Sequence, residues 1–421
     1  MTTAHHSAQH DVFAEIESAL AIIWPDEFRT SLLRACFRPA GDAEEAWRLF
    51  ATKTGNPKPY FEHDQTGLKG LLPLVNGAAR RNAFDLDAKL WTYLRSAALR
   101  EELRYREYEK ICGNVLNALK DAGVPVVALK ACAMAGTIYE TPAERHCHAI
   151  DVLVPEESHA QVARVLQQVK FHPATIPEAR PGARQGFRHV WGLPVIAHTN
   201  LFDAPIYSAD RDALWNASVP ATIAGAPVRV LAPAHNLIHV LGNAFHERAR
   251  HNLRWVCDAW LLIHGTNKPD WDEFLRYVHQ AKLEYPMLTM LRYLSEQLGA
   301  DVPTDVIDAC AAGALRLTGP QREAALSEAM VGRAAIKEIW SNRMRSWPAR
   351  RLMLGYLLAP SSSYVRWQFD VKNAIQLPLL YLCRPFVHVV QRLWWRALSL
   401  PAFSRFTHRG RVAAQMEKLR A

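Results

Sequence analysis

The chain has 421 residues, 49% of them hydrophobic and 22% charged, which excludes a disordered or low-complexity polymer and leaves room for two or three packed units. Its seven cysteines, Cys36, Cys112, Cys132, Cys147, Cys257, Cys310 and Cys383, are odd in number and form no CxxC pair; this argues against a disulfide framework or a zinc ribbon and fits a reducing compartment. The net charge of +9 is uneven: residues 331–421 hold 16 Lys and Arg against 3 Asp and Glu, a balance of +13, whereas the other 330 residues hold 34 against 38.

The opening MTTAHHSAQHDVF lacks the basic-then-apolar pattern of an export signal, which predicts a cytoplasmic protein. Residues 1–122 read as a helical region. Asp42 is expected to cap AEEAWRLF, and Asp85 to start a long run rich in Leu, Ala, Glu and Arg. Gly113 is a candidate interruption, and Gly123 followed by Pro125 stops the run. At Val124 the periodicity changes. VPVVALK reads as a buried strand, ACAMAGTIYE as a short helix, HCHAIDVLVP as a second strand and EESHAQVARVLQQV as an amphipathic helix, with further strands around 187–202 and 227–231. These form a core over residues 123–232. Beyond Pro233 the helical period returns in HNLIHVLGNAF, HNLRWVCDAWLLIH, WDEFLRYVHQA and PMLTMLRYLSEQLG, giving a helical region over 233–330. The class is therefore α+β: a small mixed sheet flanked by N- and C-terminal helical regions.

Residues 331–421 form a basic, Trp-rich segment expected to be helical. Its run IQLPLLYLCRPFVHVVQRLWWRALSLPAF is broken by Arg384, Arg392 and Arg396, which excludes a membrane span. Two readings remain: a helix packed on the core with arginine stems covering apolar surface, or an interfacial helix in which Trp394 and Trp395 give residues 361–421 peripheral contact with the inner face of a membrane. Basic residues interleaved with Trp also suit nucleic acid, but no binding motif accompanies them.

The residues that carry chemistry cluster in GVPVVALKACAMAGTIYETPAERHCHAIDVLVP. Leu129 and Lys130 end a strand, small residues follow, then Tyr139, Pro142 and Arg145 precede a strand holding Ile150, Asp151, Leu153 and Val154. Downstream lie PVIAHTNLF, with His198, and FHERARHNLRWVCDAW, with His246, His251, Leu253, Trp255 and Asp258. In this order they resemble the nucleotidyltransferase-fold family that includes many uncharacterised bacterial nucleotidyltransferases, over roughly residues 90–300. The resemblance implies a nucleotidyltransferase-type sheet, Mg2+ held by Asp151, and nucleoside triphosphate phosphates held by Lys130 and Arg145. It also implies transfer of a nucleotidyl group to an acceptor, with His198 and Asp258 as candidate cleft residues.

The departures are as informative. The family pattern holds its metal with paired carboxylates, because Mg2+ demands oxygen ligands. The first acid of that pair falls at Ala149 here, the third acid falls at Ile196, and the Gly after the Lys is Ala131. A non-catalytic nucleotide-binding or scaffold protein is therefore the alternative to an enzyme, with an apolar wall at Ala149 and Ile196 as its mark. Strand alternation would turn His148 away from Asp151. Asp151, in an apolar strand, is expected at a site rim or paired with Arg145. His235 and His239 have metal-ligand spacing, but no Glu or Cys follows in a known arrangement, so packing or capping roles are expected. Asp258 is expected to pair with Arg254 on one helix.

Overall fold

The computed structural model describes residues 24–62, 67–173, 184–189, 192–202, 211–246, 252–317 and 374–383. The chain divides into two units, one comprising residues 1–175 and 182–350 and the other residues 176–181 and 351–421.

The first unit opens with α1 (Glu27–Phe37), α2 (Ala40–Thr54), α3 (Lys58–Glu62) and α4 (Leu72–Arg81). Asp26 caps α1 by accepting from the Arg29 amide. Asp42 does not cap α2. It lies inside the first turn, behind Pro39 at the cap position, where its charge favours the positive end of the helix dipole. The long helix α5 (Ala88–Asp121) starts two residues later than Asp85 suggested: the Asp87 carboxylate accepts from the amides of Lys89 and Leu90, at 2.8 Å each. Gly123, at φ +71°, ends it, its amide donating back to the Lys120 carbonyl.

The sheet follows: β1 (Val127–Leu129), α6 (Lys130–Thr137), β2 (Ile150–Leu153), α7 (His159–Gln168), β3 (Phe171–Pro173), β4 (Arg184–His189), β5 (Pro194–His198), α8 (Arg211–Ala217), β6 (Val219–Ile223) and β7 (Ala226–Val230). The strand order is β3-β4-β5-β2-β1-β7-β6, mixed in direction. At the centre β1 runs antiparallel to β2 and parallel to β7, while β2 runs parallel to β5.

The strand read from HCHAIDVLVP is shorter than expected, and the reason is visible. The carbonyl of His146 accepts from Arg145 and that of Cys147 from Arg104, while the Ala149 carbonyl accepts from the Tyr108 hydroxyl at 3.1 Å. Side chains take the bonds a ladder would need, so pairing begins only at Ile150.

Helices α9 (Pro233–His246), α10 (Arg254–His264), α11 (Trp271–Ala281), α12 (Glu284–Arg292) and α13 (Thr304–Arg316) complete the unit. A single π turn, Tyr293–Gln297, continues α12. The sheet separates two apolar cores. Val127, Leu129 and Leu153 face the core formed by α1, α2 and α4 with α9–α13. Ala128, Ile150 and Val152 face the second core, formed with the C-terminal half of α5 and with α7. By alternation Asp151 shares the face of Leu153, so the one acid of β2 points toward the helical cover.

In the second unit, Ala374–Gln376 form a 3-10 turn and residues 377–383 are helical, with Ile375, Leu379 and Leu382 exposed. Arg384, Arg392, Trp394, Trp395 and Arg396 lie outside the described residues, as does His251.

Gly113, inside α5, does not interrupt the helix. A Cβ there would sit 2.6 Å from the carbonyl oxygen of Ala224. That carbonyl belongs to the β6–β7 turn, where Ala224 and Gly225 both have positive φ, the geometry of a tight hairpin. Gly113→Ala should therefore lower stability. The gain in helix propensity, up to about 1 kcal/mol, is outweighed by overpacking against backbone, about 1–3 kcal/mol; chemical denaturation of the variant checks the sign.

Candidate functional site

The strand-to-helix junction at the end of β1 builds one side of the site. Leu129 is extended and Lys130, at φ +51°, turns into α6. A left-handed lysine costs about 1–3 kcal/mol and persists only where surroundings impose it. It delivers the Lys130 ammonium to within 3.5 Å of Asp151 Oδ1. Asp151 pairs with Leu129 in the β1–β2 ladder, so the strand register itself places the two side by side.

On the other side of β2, Ile196 is the register partner of Asp151 across the parallel β2–β5 pair. Residues so paired share a face, which puts Ile196 next to the acid. His198, two residues on and on that same face, places Nε2 2.9 Å from Asp151 Oδ1. Burial raises the proton affinity of Asp151, but the Lys130 charge and the His198 hydrogen bond more than offset it and hold the carboxyl well below its ordinary range.

Arg145 leads from the 3-10 turn Pro142–Glu144 into β2. Its guanidinium, 8% exposed, grips Asp258 of α10 with two bonds of 2.7 Å, Nε to Oδ1 and Nη2 to Oδ2. Tyr139 donates to the same Oδ1 at 2.8 Å. Burial works against the Arg145 charge, but Asp258 overcomes it and raises the proton affinity of the guanidinium further. Asp258 therefore ties α10 to the sheet layer rather than to Arg254 on its own helix. Arg254 instead donates through Nη1 to His148 Nδ1 at 3.0 Å.

A cavity of about 290 Å³ lies over this face of β2, lined by Lys130, Arg145, Asp151 and Asp258 together with Arg184 and Arg254. Ala149 and Ile196 form part of its wall, and His148 also lines it. His148 had been expected to face away; alternation fails because regular strand begins only at Ile150. Burial, then the charge of Arg254, pushes the His148 imidazole down to about 4. Although the residue is exposed, its Nδ1 accepts from Arg254, which requires an unprotonated nitrogen.

Of the residues singled out in the sequence, Lys130, Asp151 and His198 thus meet directly, and Arg145 and Asp258 meet each other on the same cavity. The resemblance gives Arg145 to phosphate, and a structural salt bridge to the adjacent helix is its alternative. Its Nε and Nη2 donate to Asp258 and its Nη1 to the His146 carbonyl, which is the geometry of that salt bridge. His235 Nε2 lies 2.9 Å from Glu273 Oε1 without hydrogen-bond alignment, whereas His239 lines the cavity. The sequence predicts packing or capping roles for both histidines. The side chain of His246 lies outside what is described. Arg184 and Asn243 carry no signal in the sequence; Arg254 does, but as the helix partner of Asp258 rather than as a cavity residue.

The donors do not fit Mg2+. Oxygen ligands in number are what that ion needs, yet both oxygens of Asp258 are taken by Arg145, and Asp151 meets a cation and an imidazole. Ala149 and Ile196 offer no oxygen. Among the described residues no three His, Cys, Asp or Glu converge on a point where a metal could sit.

A family model described as uncharacterised nucleotidyltransferase matches residues 67–299. No curated protein and no solved structure matches the chain.

Two outcomes follow from this geometry. Removing the Asp258 carboxylate in Asp258→Ala leaves a buried guanidinium unpaired and should cost about 3–5 kcal/mol, while the double variant with Arg145→Met should recover most of it; a double-mutant cycle by urea denaturation reads both. The second concerns acid. Burial raises the Glu101 carboxyl, but hydrogen bonds with His146 and Arg104 hold it down at about 2, from an ordinary 4.5. A depressed carboxyl binds fewer protons folded than unfolded, so its contribution is complete above pH 4.5 and falls as pH drops toward 2. Glu101→Gln should flatten that stretch of the stability–pH curve.

Proposed function

Because the chain belongs to the uncharacterised nucleotidyltransferase family, we propose that it binds the phosphates of a nucleoside triphosphate in the cavity over β2, and that metal-dependent nucleotidyl transfer has been lost. One observation carries the reading: the cavity has four cationic side chains, Lys130, Arg145, Arg184 and Arg254, and two acids, Asp151 and Asp258, each acid being paired with a cation. A two-carboxylate metal site requires the reverse balance. With Ala149 and Ile196 at the other acid positions, phosphate is drawn by Lys130 and by the arginines at the mouth, whose planar forks suit it. Asp151 keeps the Lys130 ammonium oriented, and His198 holds Asp151.

Calorimetric titration tests this. ATP should bind no more tightly with magnesium than without it, and Lys130→Ala should weaken binding about tenfold, ~1.4 kcal/mol. No labelled nucleotide should be incorporated into any product. Magnesium-dependent incorporation that disappears in Asp151→Ala would restore the enzyme, with an acceptor hydroxyl or phosphate as its second substrate.

We also propose that the C-terminal segment makes peripheral contact with anionic membranes. Among the described residues no helix is long and apolar enough to cross one. Ile375, Leu379 and Leu382, spaced for one helical face, are exposed, in a segment where basic residues outnumber acids 16 to 3. Each basic residue near an anionic bilayer contributes about 1 kcal/mol and is screened by salt. The full chain should sediment with anionic liposomes at low salt, and a version ending before Ser361 should not. If both stay in the supernatant, the segment belongs to the fold instead.

A further inference from the structure

The cavity has a second wall of different chemistry. His239 and Asn243 lie four residues apart on α9, hence on one face, and both line the cavity, with Val240 and Ala244 beside them. His239 is 1% exposed, and among the described residues neither of its ring nitrogens has a hydrogen-bond partner. The amide nitrogen Nδ2 of Asn243 is buried and equally unpartnered. Buried polar groups are hydrogen-bonded in the great majority of cases, and each exception costs about 1–3 kcal/mol. Two exceptions one helical turn apart, on the wall of one cavity, point to a ligand that completes them.

The chemistry of that ligand can be read from the donors. Burial, then the nearby Lys130 charge, keeps the His239 imidazole well below its ordinary range, so the ring is neutral and offers one N–H donor and one acceptor nitrogen. Asn243 adds an N–H donor. Such a set does not attract a phosphate, which would choose the Lys130 ammonium and the arginines that also line the cavity. It matches an uncharged group with donors and acceptors of its own, and Val240 and Ala244 supply an apolar surface beside it. A second hollow, of about 850 Å³, shares His148, Asn252 and Arg254 with this cavity, so an extended ligand has room beyond the first 290 Å³.

We propose that the His239–Asn243 edge of α9 recognises the uncharged nucleoside part of a ligand whose phosphates lie against Lys130. This rests on the phosphate reading above and adds what selects the ligand. A sugar hydroxyl and the edge of a base present the same chemistry to these two side chains.

The test compares inorganic triphosphate with ATP, GTP, CTP, UTP and 2′-deoxyATP by calorimetry on the full chain. At least one nucleoside triphosphate should bind about tenfold more tightly than inorganic triphosphate, and Asn243→Ala should remove that margin while leaving triphosphate affinity unchanged. The same variant should melt no lower than the native chain, because it deletes an unsatisfied buried donor; a merely structural asparagine would lose stability instead. His239→Gln, which keeps a donor and an acceptor, should retain part of the margin. A spread among the four bases assigns the contact to a base edge. Equal affinities with a loss for 2′-deoxyATP assign it to a ribose hydroxyl, and both support the proposal. Equal binding of triphosphate and all nucleotides overturns this inference alone, and failure of triphosphate and nucleotides alike overturns the phosphate reading with it.

Discussion

The guanidinium of Arg145 is almost wholly withdrawn from water, and the Asp258 carboxylate is what makes that tolerable. The pair spans two layers, since Arg145 leads into β2 and Asp258 sits on α10. Either group alone would be a buried charge costing several kcal/mol. Together, with Tyr139 as third partner, they fix the spacing between the sheet and its helical cover. The cavity exists because that spacing is held. The bond from Arg145 Nη1 to the His146 carbonyl also helps keep residues 146–149 out of the ladder, and that irregular stretch is what turns His148 into the cavity.

Charge balance then decides what the cavity can do. A site for nucleotidyl transfer by divalent metal gathers carboxylates whose mutual repulsion the ion relieves. Here the repulsion never arises. Asp151 is compensated by Lys130 and hydrogen-bonded to His198, and Asp258 is compensated by Arg145. Ile196, level with Asp151 in the parallel ladder, puts a hydrocarbon side chain beside that carboxylate. A metal ion entering this site would meet an ammonium. An anion would meet attraction there instead.

Much of this was legible in the sequence, for identifiable reasons. The change of period at Val124, the acid in an apolar strand, and the helices after Pro233 are local patterns, and β1, β2 and α9–α12 appear where those patterns lie. The strand face of Asp151 followed from alternation. What escaped were features set by partners distant in sequence. The start of β2 depends on Arg104 and Tyr108, more than 40 residues upstream. Asp258 chose Arg145, 113 residues away, over the arginine one turn behind it, because a bidentate buried pair outweighs a single i,i+4 helix contact. The short strands β3 and β6 carry too little pattern to stand out from their turns.

The cavity also retains features that folding alone would not favour. Lys130 holds a left-handed backbone where a glycine would sit without strain. His239 and Asn243 present unsatisfied nitrogens where leucine-like residues would pack at no such cost. A pocket kept only as scaffold would be expected to be lined with hydrocarbon throughout, as it is at Ala149 and Ile196. Beside that hydrocarbon stand the cation at the strand end and the polar edge of α9. Costly polar groups gathered on one cavity are what a ligand site would need and what a mere scaffold would not.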